Sequence, residues 1–104
     1  MLYKPGELVR IKGTISEIKN ERTIKRKVQD AIVIEFILKN TEAPNPHEYL
    51  IRAYSDTGHD RFNIKARIGQ ELQCNCYLNG NKKKTDTGFW HTNELSLHSI
   101  IVIN

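Results

Sequence analysis

Apolar and polar residues alternate with a period of two in five separate segments of this chain. In the first segment Val9, Ile11 and Ile15 fall on one side. Arg10 and Lys12 fall on the other. Because successive side chains of a β-strand point to opposite faces, this alternation predicts strands with one buried face. The strands predicted in this way cover residues 8–18, 31–39, 49–54, 71–78 and 89–103.

Two of the predicted strands contain an irregularity. In the first strand Ile18 falls out of the alternation and Gly13 lies in the middle, which together indicate a bulge or a sharp bend. In the fifth strand Leu95 and Leu97 do not keep the parity of Ile100, which also indicates a bulge. A bent first strand is suited to serving both sides of a barrel.

The connections between the strands differ in character. Residues 19–30 predict a polar loop or ribbon, residues 40–47 contain two prolines and predict a turn, and residues 79–88 predict a turn that begins at Asn79-Gly80-Asn81. Only residues 61–68 have helical spacing; capping side chains precede them and Gly69 follows them. A short helix is therefore predicted between strands three and four.

Three strands, a short helix and two further strands are typical of the five-stranded Greek-key barrel known as the OB fold. A small sandwich and an SH3-like barrel are alternatives. A sandwich usually has about seven strands, however, and the SH3-like plan has no helix at that place. A chain of 104 residues has room for one hydrophobic core. We therefore expect an all-β OB domain that occupies residues 1–104.

Composition narrows the class of protein further. Hydrophobic residues make up 38% of the chain and charged residues 27%, a balance that excludes wholesale disorder. The longest apolar run, residues 100–103, is far shorter than the ~20 residues that a membrane-spanning helix needs. Residues 1–7 lack the apolar stretch of a secretory leader. We expect a cytoplasmic protein that does not engage a membrane.

The residues with chemical reactivity do not form a recognisable catalytic or metal site. Cys74 and Cys76 are separated by one residue on the same side of a predicted strand, which places both thiols in the core rather than on a zinc-binding turn. The acidic residues near the predicted helix start are explained by capping, and no nucleophile or glycine-rich phosphate loop accompanies them. We expect reduced thiols, no metal, no cofactor and no enzymatic activity.

The positive charge is concentrated in two short segments. The formal net charge of the chain is +4. Residues 19–27 carry +4 and residues 82–86 carry +2, so the other residues together carry about −2. Either segment alone is adequately explained as a solvated loop. Their joint position in the fold decides whether they have a function.

In an OB fold the ligand face is formed by strands two and three, and it is flanked by the loops that join strands one to two and four to five. The two basic segments lie in these two loops. Single-stranded nucleic acid binds OB folds in a positive groove where bases stack on aromatic side chains. Tyr54 and Tyr77 fit such a face or the core equally well, whereas Phe36 and Phe62 are expected in the core. The predicted binding residues are Arg22, Lys25, Arg26, Lys27, Arg52, Tyr54, Tyr77, Lys82, Lys83, Lys84, Phe89 and Trp90.

Four stretches spread over most of the chain share a pattern with a known family. They read Ile11-Lys12-Gly13-Thr14-Ile15, Val33-Ile34-Glu35-Phe36, Ile68-Gly69-Gln70-Glu71-Leu72 and Gly88-Phe89-Trp90-His91-Thr92-Asn93. Together they resemble a family of small bacterial OB-fold proteins of unknown function that are regarded as candidate single-stranded DNA-binding proteins. The resemblance implies an OB fold and binding of single-stranded DNA.

The leading hypothesis is a non-catalytic module that binds single-stranded DNA or RNA. The lysine and arginine clusters would hold phosphates, Arg52 would line the groove, and Tyr54, Tyr77 and Trp90 would stack bases. A second hypothesis is an assembly module whose strand edges pair with another copy of the chain or with another protein. A third is an oligosaccharide-binding OB domain, for which the basic loops would be irrelevant.

Overall fold

Five strands form a closed barrel in this computed structural model, which describes residues 6–42, 46–54 and 64–103. The order around the barrel is β1-β2-β3-β5-β4, with β3 and β5 parallel and all other neighbours antiparallel. The predicted all-β, five-stranded barrel is confirmed. The strands are β1 (Glu7–Ile24), β2 (Ala31–Asn40), β3 (His47–Tyr54), β4 (Glu71–Thr85) and β5 (Gly88–Val102).

β1 bends to serve two neighbours, as its sequence predicts. Residues 7–14 pair with β4 and residues 14–24 pair with β2, with register shifts between Ile15 and Glu17 and between Ile18 and Asn20. Gly13 lies at the bend. A Cβ atom at Gly13 would lie 2.6 Å from the carbonyl oxygen of Lys39, so the end of β2 can approach β1 this closely only because Gly13 has no side chain.

The core contains the side chains on the inner side of all five strands. Cys74 and Cys76 are fully buried free thiols, and burial raises the pKa of each to about 12. Their predicted place in the core is confirmed, as is that of Phe36, whereas Phe62 lies outside the described residues. The buried core consists of Ile15, Phe36, Leu38, Ile51, Ile64, Leu72, Cys74, Cys76 and Leu97.

The helix predicted over residues 61–68 is not seen. Residues 61–63 lie outside the described residues, and Ile64–Arg67 form a single 3-10 turn. The residues that follow are instead held against β1, because Ile68 forms an isolated parallel bridge with Ile15 and the Gly69 amide donates to the Ile15 carbonyl over 2.9 Å. The φ of Gly69 is +86°, which ends the turn immediately. Within the described parts of the chain, no helix is long and apolar enough to cross a membrane.

β4 and β5 extend together beyond the barrel as a two-stranded ribbon, here called the β4–β5 ribbon (residues 79–94). The turn predicted at Asn79-Gly80-Asn81 is wrong, because these residues pair with β5 and the ladder continues to Thr85 opposite Gly88. The chain turns at residues 86–87. Gly88 has a φ of +141°, and the Thr85 hydroxyl donates to its carbonyl over 3.1 Å.

The bulge predicted in the fifth strand is confirmed. Leu97 lies opposite Cys76, whereas Ser99 lies opposite Asn75, so His98 is the extra residue of β5. This single insertion lets Leu97 and Ile100 both face the core.

Candidate nucleic-acid interface

The side chains of β2 and β3 that alternate with the core residues point to the outer surface of the barrel. Phe36 and Ile51 are buried inside the barrel, so Glu35 and Arg52, which are opposite each other in the ladder, point outward. Tyr54 lies two residues further along the same face of β3. The face continues onto β5, because Arg52 is opposite Ser96 in the parallel pairing of β3 with β5.

A chain of charged contacts crosses this surface. The Arg52 guanidinium donates from Nε to Glu35 over 3.2 Å and from Nη1 to Glu94 over 3.1 Å. The Tyr54 hydroxyl also donates to Glu94, and Arg22 lies 4.0 Å from the second oxygen of Glu35. The exposed fractions of the Glu35 and Glu94 side chains are only 12% and 18%, so these contacts are partly shielded from water. We call Glu35, Arg52, Tyr54 and Glu94 the central face.

The contacts within the central face fix the protonation states of its donors. Burial alone lowers the pKa of Arg52, but hydrogen bonds to Glu94 and Glu35 raise it overall, so the guanidinium stays charged. Burial and the hydrogen bond to Glu94 raise the pKa of the Tyr54 hydroxyl to about 12. Arg52 lies on this outer surface, and its charge is compensated by two carboxylates.

This chain of contacts connects the two basic segments at the points where they join the barrel. Arg22 belongs to the part of β1 that pairs with the start of β2, here called the β1–β2 ribbon (residues 20–35). Glu94 is opposite Asn79 at the base of the β4–β5 ribbon. Since β3 lies between β2 and β5 in the barrel, the two ribbons leave from the two borders of the central face.

The β4–β5 ribbon presents two different faces. Lys83 and Trp90 are opposite each other, and by alternation they lie on the same face as Glu94. Phe89, Lys82 and Lys84 lie on the other face, where the Lys82 ammonium is 3.9 Å from the centroid of the Phe89 ring. Trp90 is 63% exposed and Phe89 57% exposed. The predicted lysine loop is thus a ribbon that divides its basic and aromatic residues between two sides.

The remaining predicted residues lie at the edges of this surface. Lys25, Arg26 and Lys27 are exposed in the connection between β1 and β2, where Lys25 pairs with Asp30 over 3.1 Å. Tyr77 lies in the same row across the sheet as Ser96 and Arg52, and its ring centroid is 5.1 Å from that of His98.

The two carboxylates of the central face were not among the predicted binding residues. A signal for Glu35 exists in the sequence, because it is the only charged residue between Ala31 and Leu38. An acid in an otherwise apolar strand, on the face opposite Phe36, indicates a partner of opposite charge. Glu94 has no comparable local signal, since its contact with Arg52 joins distant parts of the chain.

The fold and its outer face define a barrel of the OB type, and comparison with solved structures agrees. The mitochondrial single-stranded DNA-binding protein Rim1 of S. cerevisiae has a TM-score of 0.63 at 12% identity, with 96% of this chain and 97% of that chain covered. A second, selenomethionine-labelled structure of Rim1 gives a TM-score of 0.57 at 15% identity, with the same coverage of both chains.

A small single-stranded DNA-binding protein from Streptomyces coelicolor has a TM-score of 0.52 at 6% identity, with 95% of each chain covered. At these identities the likeness establishes the fold. No protein-family model matches the sequence, and no curated protein matches it.

Proposed function

We propose that this chain is a non-catalytic protein that binds single-stranded DNA. The observation that carries the proposal is the placement of Trp90 and Lys83. They are paired and exposed on the face of the β4–β5 ribbon that is continuous with the central face. Support at the level of the fold comes from the structural neighbours, which are single-stranded DNA-binding proteins.

In the proposed complex a base stacks on Trp90 while Lys83 contacts a neighbouring phosphate. A base stacked on an aromatic side chain contributes about 1–3 kcal/mol. The strand then crosses the central face past Tyr54 and Tyr77 and reaches Lys25, Arg26 and Lys27 on the far border. Phe89, Lys82 and Lys84 offer a second stacking and phosphate surface on the reverse of the ribbon. Arg22 supports the far border from within β1.

Trp90 is the only tryptophan in the chain, so its fluorescence reports on the ribbon directly. We expect a mixed-sequence single-stranded oligonucleotide to quench this fluorescence. The affinity should fall with salt at a log–log slope of about −0.7 for each phosphate contact. An affinity that is independent of salt contradicts the assigned role of the lysines. Duplex DNA and RNA of the same sequence, titrated in parallel, measure the preference for single-stranded DNA.

Matched variants test the site itself. Trp90→Ala should weaken binding of a labelled oligonucleotide about tenfold, whereas Ile101→Ala, an exposed apolar residue of β5 opposite Gln73, should not. Lys83→Gln should weaken binding and lower the salt slope, while Lys12→Gln, an exposed lysine also opposite Gln73, should leave the slope unchanged. If the two variants of either pair changed binding equally, the result would contradict the proposed site. Absence of quenching together with a concentration-dependent mass would favour an assembly module.

A further inference from the structure

The centre of the proposed binding surface carries no net positive charge. Arg22 and Arg52 contribute two positive charges, and Glu35 and Glu94 contribute two negative ones, all linked by contacts of 4.0 Å or less. A phosphate placed here would meet two partly buried carboxylates. Since the like charges would repel each other across a short distance, the backbone of a bound strand must lie at the ribbons. The edges of its bases then face the central face.

The two carboxylates differ in what they can offer a base. Both oxygens of Glu35 face a cation, because Oε2 accepts from Arg52 and Oε1 lies near Arg22. Glu94 instead receives both Arg52 and the Tyr54 hydroxyl on the single oxygen Oε1. A carboxylate has about four lone-pair positions on two oxygens, so Oε2 of Glu94 is not engaged by either donor.

Two donors on one oxygen also hold the Glu94 carboxylate in a fixed orientation. The side chain is only 18% exposed, so a hydrogen bond to it is poorly replaced by water. Trp90, Thr92 and Glu94 alternate along one face of β5, which places Glu94 about 13 Å along the strand from Trp90. A strand stacked on Trp90 can therefore continue to Glu94.

We propose that Glu94 determines base preference by accepting a hydrogen bond from an exocyclic amino group, and that it favours cytosine over thymine. This inference rests on the proposed function. Cytosine presents its N4 amino group as a donor that Glu and Asp accept. Thymine presents the O4 acceptor at the same position, which the carboxylate oxygen repels. The central face thus selects for a base with an amino group, whereas a groove lined only by positive charges would not distinguish between the two bases.

The first test uses the unmodified protein with oligomers of deoxycytidine, deoxyuridine and thymidine of equal length, in one buffer near pH 8. Deoxyuridine carries O4 like thymine but lacks its methyl group, so it separates the effect of the amino group from that of the methyl group. Measured by competition against a labelled oligonucleotide, the cytosine oligomer should bind about tenfold more tightly than either of the others. Equal affinities, or tighter binding of thymine, overturn the inference.

The second test uses Glu94→Gln, which replaces one carboxylate oxygen by an amide donor. With the remaining oxygen still accepting from Arg52, the donor faces the ligand, and the preference should be lost or reversed toward thymine. Glu48→Gln is the matched control. It changes the charge equally at an exposed position of β3 opposite Lys39, and the cytosine preference should persist.

A cytosine preference that survives Glu94→Gln overturns the assignment to Glu94 but leaves the proposed function standing. If none of the three oligomers binds the unmodified protein at low salt, the proposed function and this inference both fail.

Discussion

Replacing Arg52 with methionine tests whether the central face is held together by charge. The substitution keeps an apolar chain of similar reach but removes the two hydrogen bonds to Glu35 and Glu94. Each hydrogen bond to a charged partner contributes about 1.5–3 kcal/mol when shielded from water. Because 34% of the Arg52 side chain is exposed, screening reduces that value. We expect the free energy of unfolding to fall by about 2 kcal/mol.

The assay is urea denaturation followed by far-UV circular dichroism near pH 7.5, since Trp90 is exposed in the folded state and reports poorly on unfolding. A loss of this size corresponds to a decrease of about 10 °C in the melting temperature of a domain this small.

Arg10→Met is the matched control for Arg52→Met. Arg10 is an exposed arginine on the outer side of β1, opposite Asn75. Its replacement should change the stability by less than about 0.5 kcal/mol. If Arg52→Met costs no more than this control, the contacts of the central face behave as ordinary surface ion pairs, and the reasoning from their burial is refuted.

Two further predictions concern the barrel itself. Gly13→Ala should lower the melting temperature, because its Cβ would collide with the Lys39 carbonyl. Gly80→Ala, where the nearest atom would be 3.7 Å away, should be tolerated. Equal melting temperatures of the two variants would contradict the close approach of β2 to Gly13. The free energy of unfolding should also fall as the pH rises from 9 through 12, because burial raises the pKa of Cys74 and Cys76 to about 12 and the unfolded chain loses those protons first. Near pH 10.5 each thiol should contribute a loss of ~2 kcal/mol, and denaturation of the Cys74→Ala/Cys76→Ala variant should show a shallower decline with pH.

Alternation along the chain predicted the strands, whereas the choice of an OB barrel also used the helix expected over residues 61–68, which is not seen. The alternation identified all five strands, the bend near Gly13 and the bulge near His98, because each of these is a local break in a local pattern. Burial of one face imposes that pattern on every strand that contributes to the core. The placement of Cys74 and Cys76 inside the barrel followed from the same rule.

The β4–β5 ribbon could not be predicted in this way, because it has no buried face. Asn79, Gly80 and three successive lysines have low β propensity, and their sequence favours a turn. They are held extended by pairing with β5, which is a contact between two segments that both lack an apolar pattern. The real turn is marked only by Gly88, whose φ of +141° is not visible in the sequence.

The helix prediction failed, and the carboxylates of the central face were missed, for a different reason. The spacing over residues 61–68 is compatible with a helix, but Ile68 and Gly69 are held by Ile15, a residue far away in the sequence. Likewise the contact of Arg52 with Glu94 depends on the parallel pairing of β3 with β5. Both features depend on contacts between segments that are far apart in the chain. A local pattern in one sequence does not reveal such contacts.

The pairing of β1 with both β2 and β4 also has a consequence for biosynthesis. Its first half pairs with β4, and most of the chain lies between the two partners. A nascent chain on the ribosome can therefore form the β1–β2–β3 meander early. Val9 and Ile11 lack their pairing strand until β4 has emerged. During that interval the apolar side of this half-strand stays exposed to water.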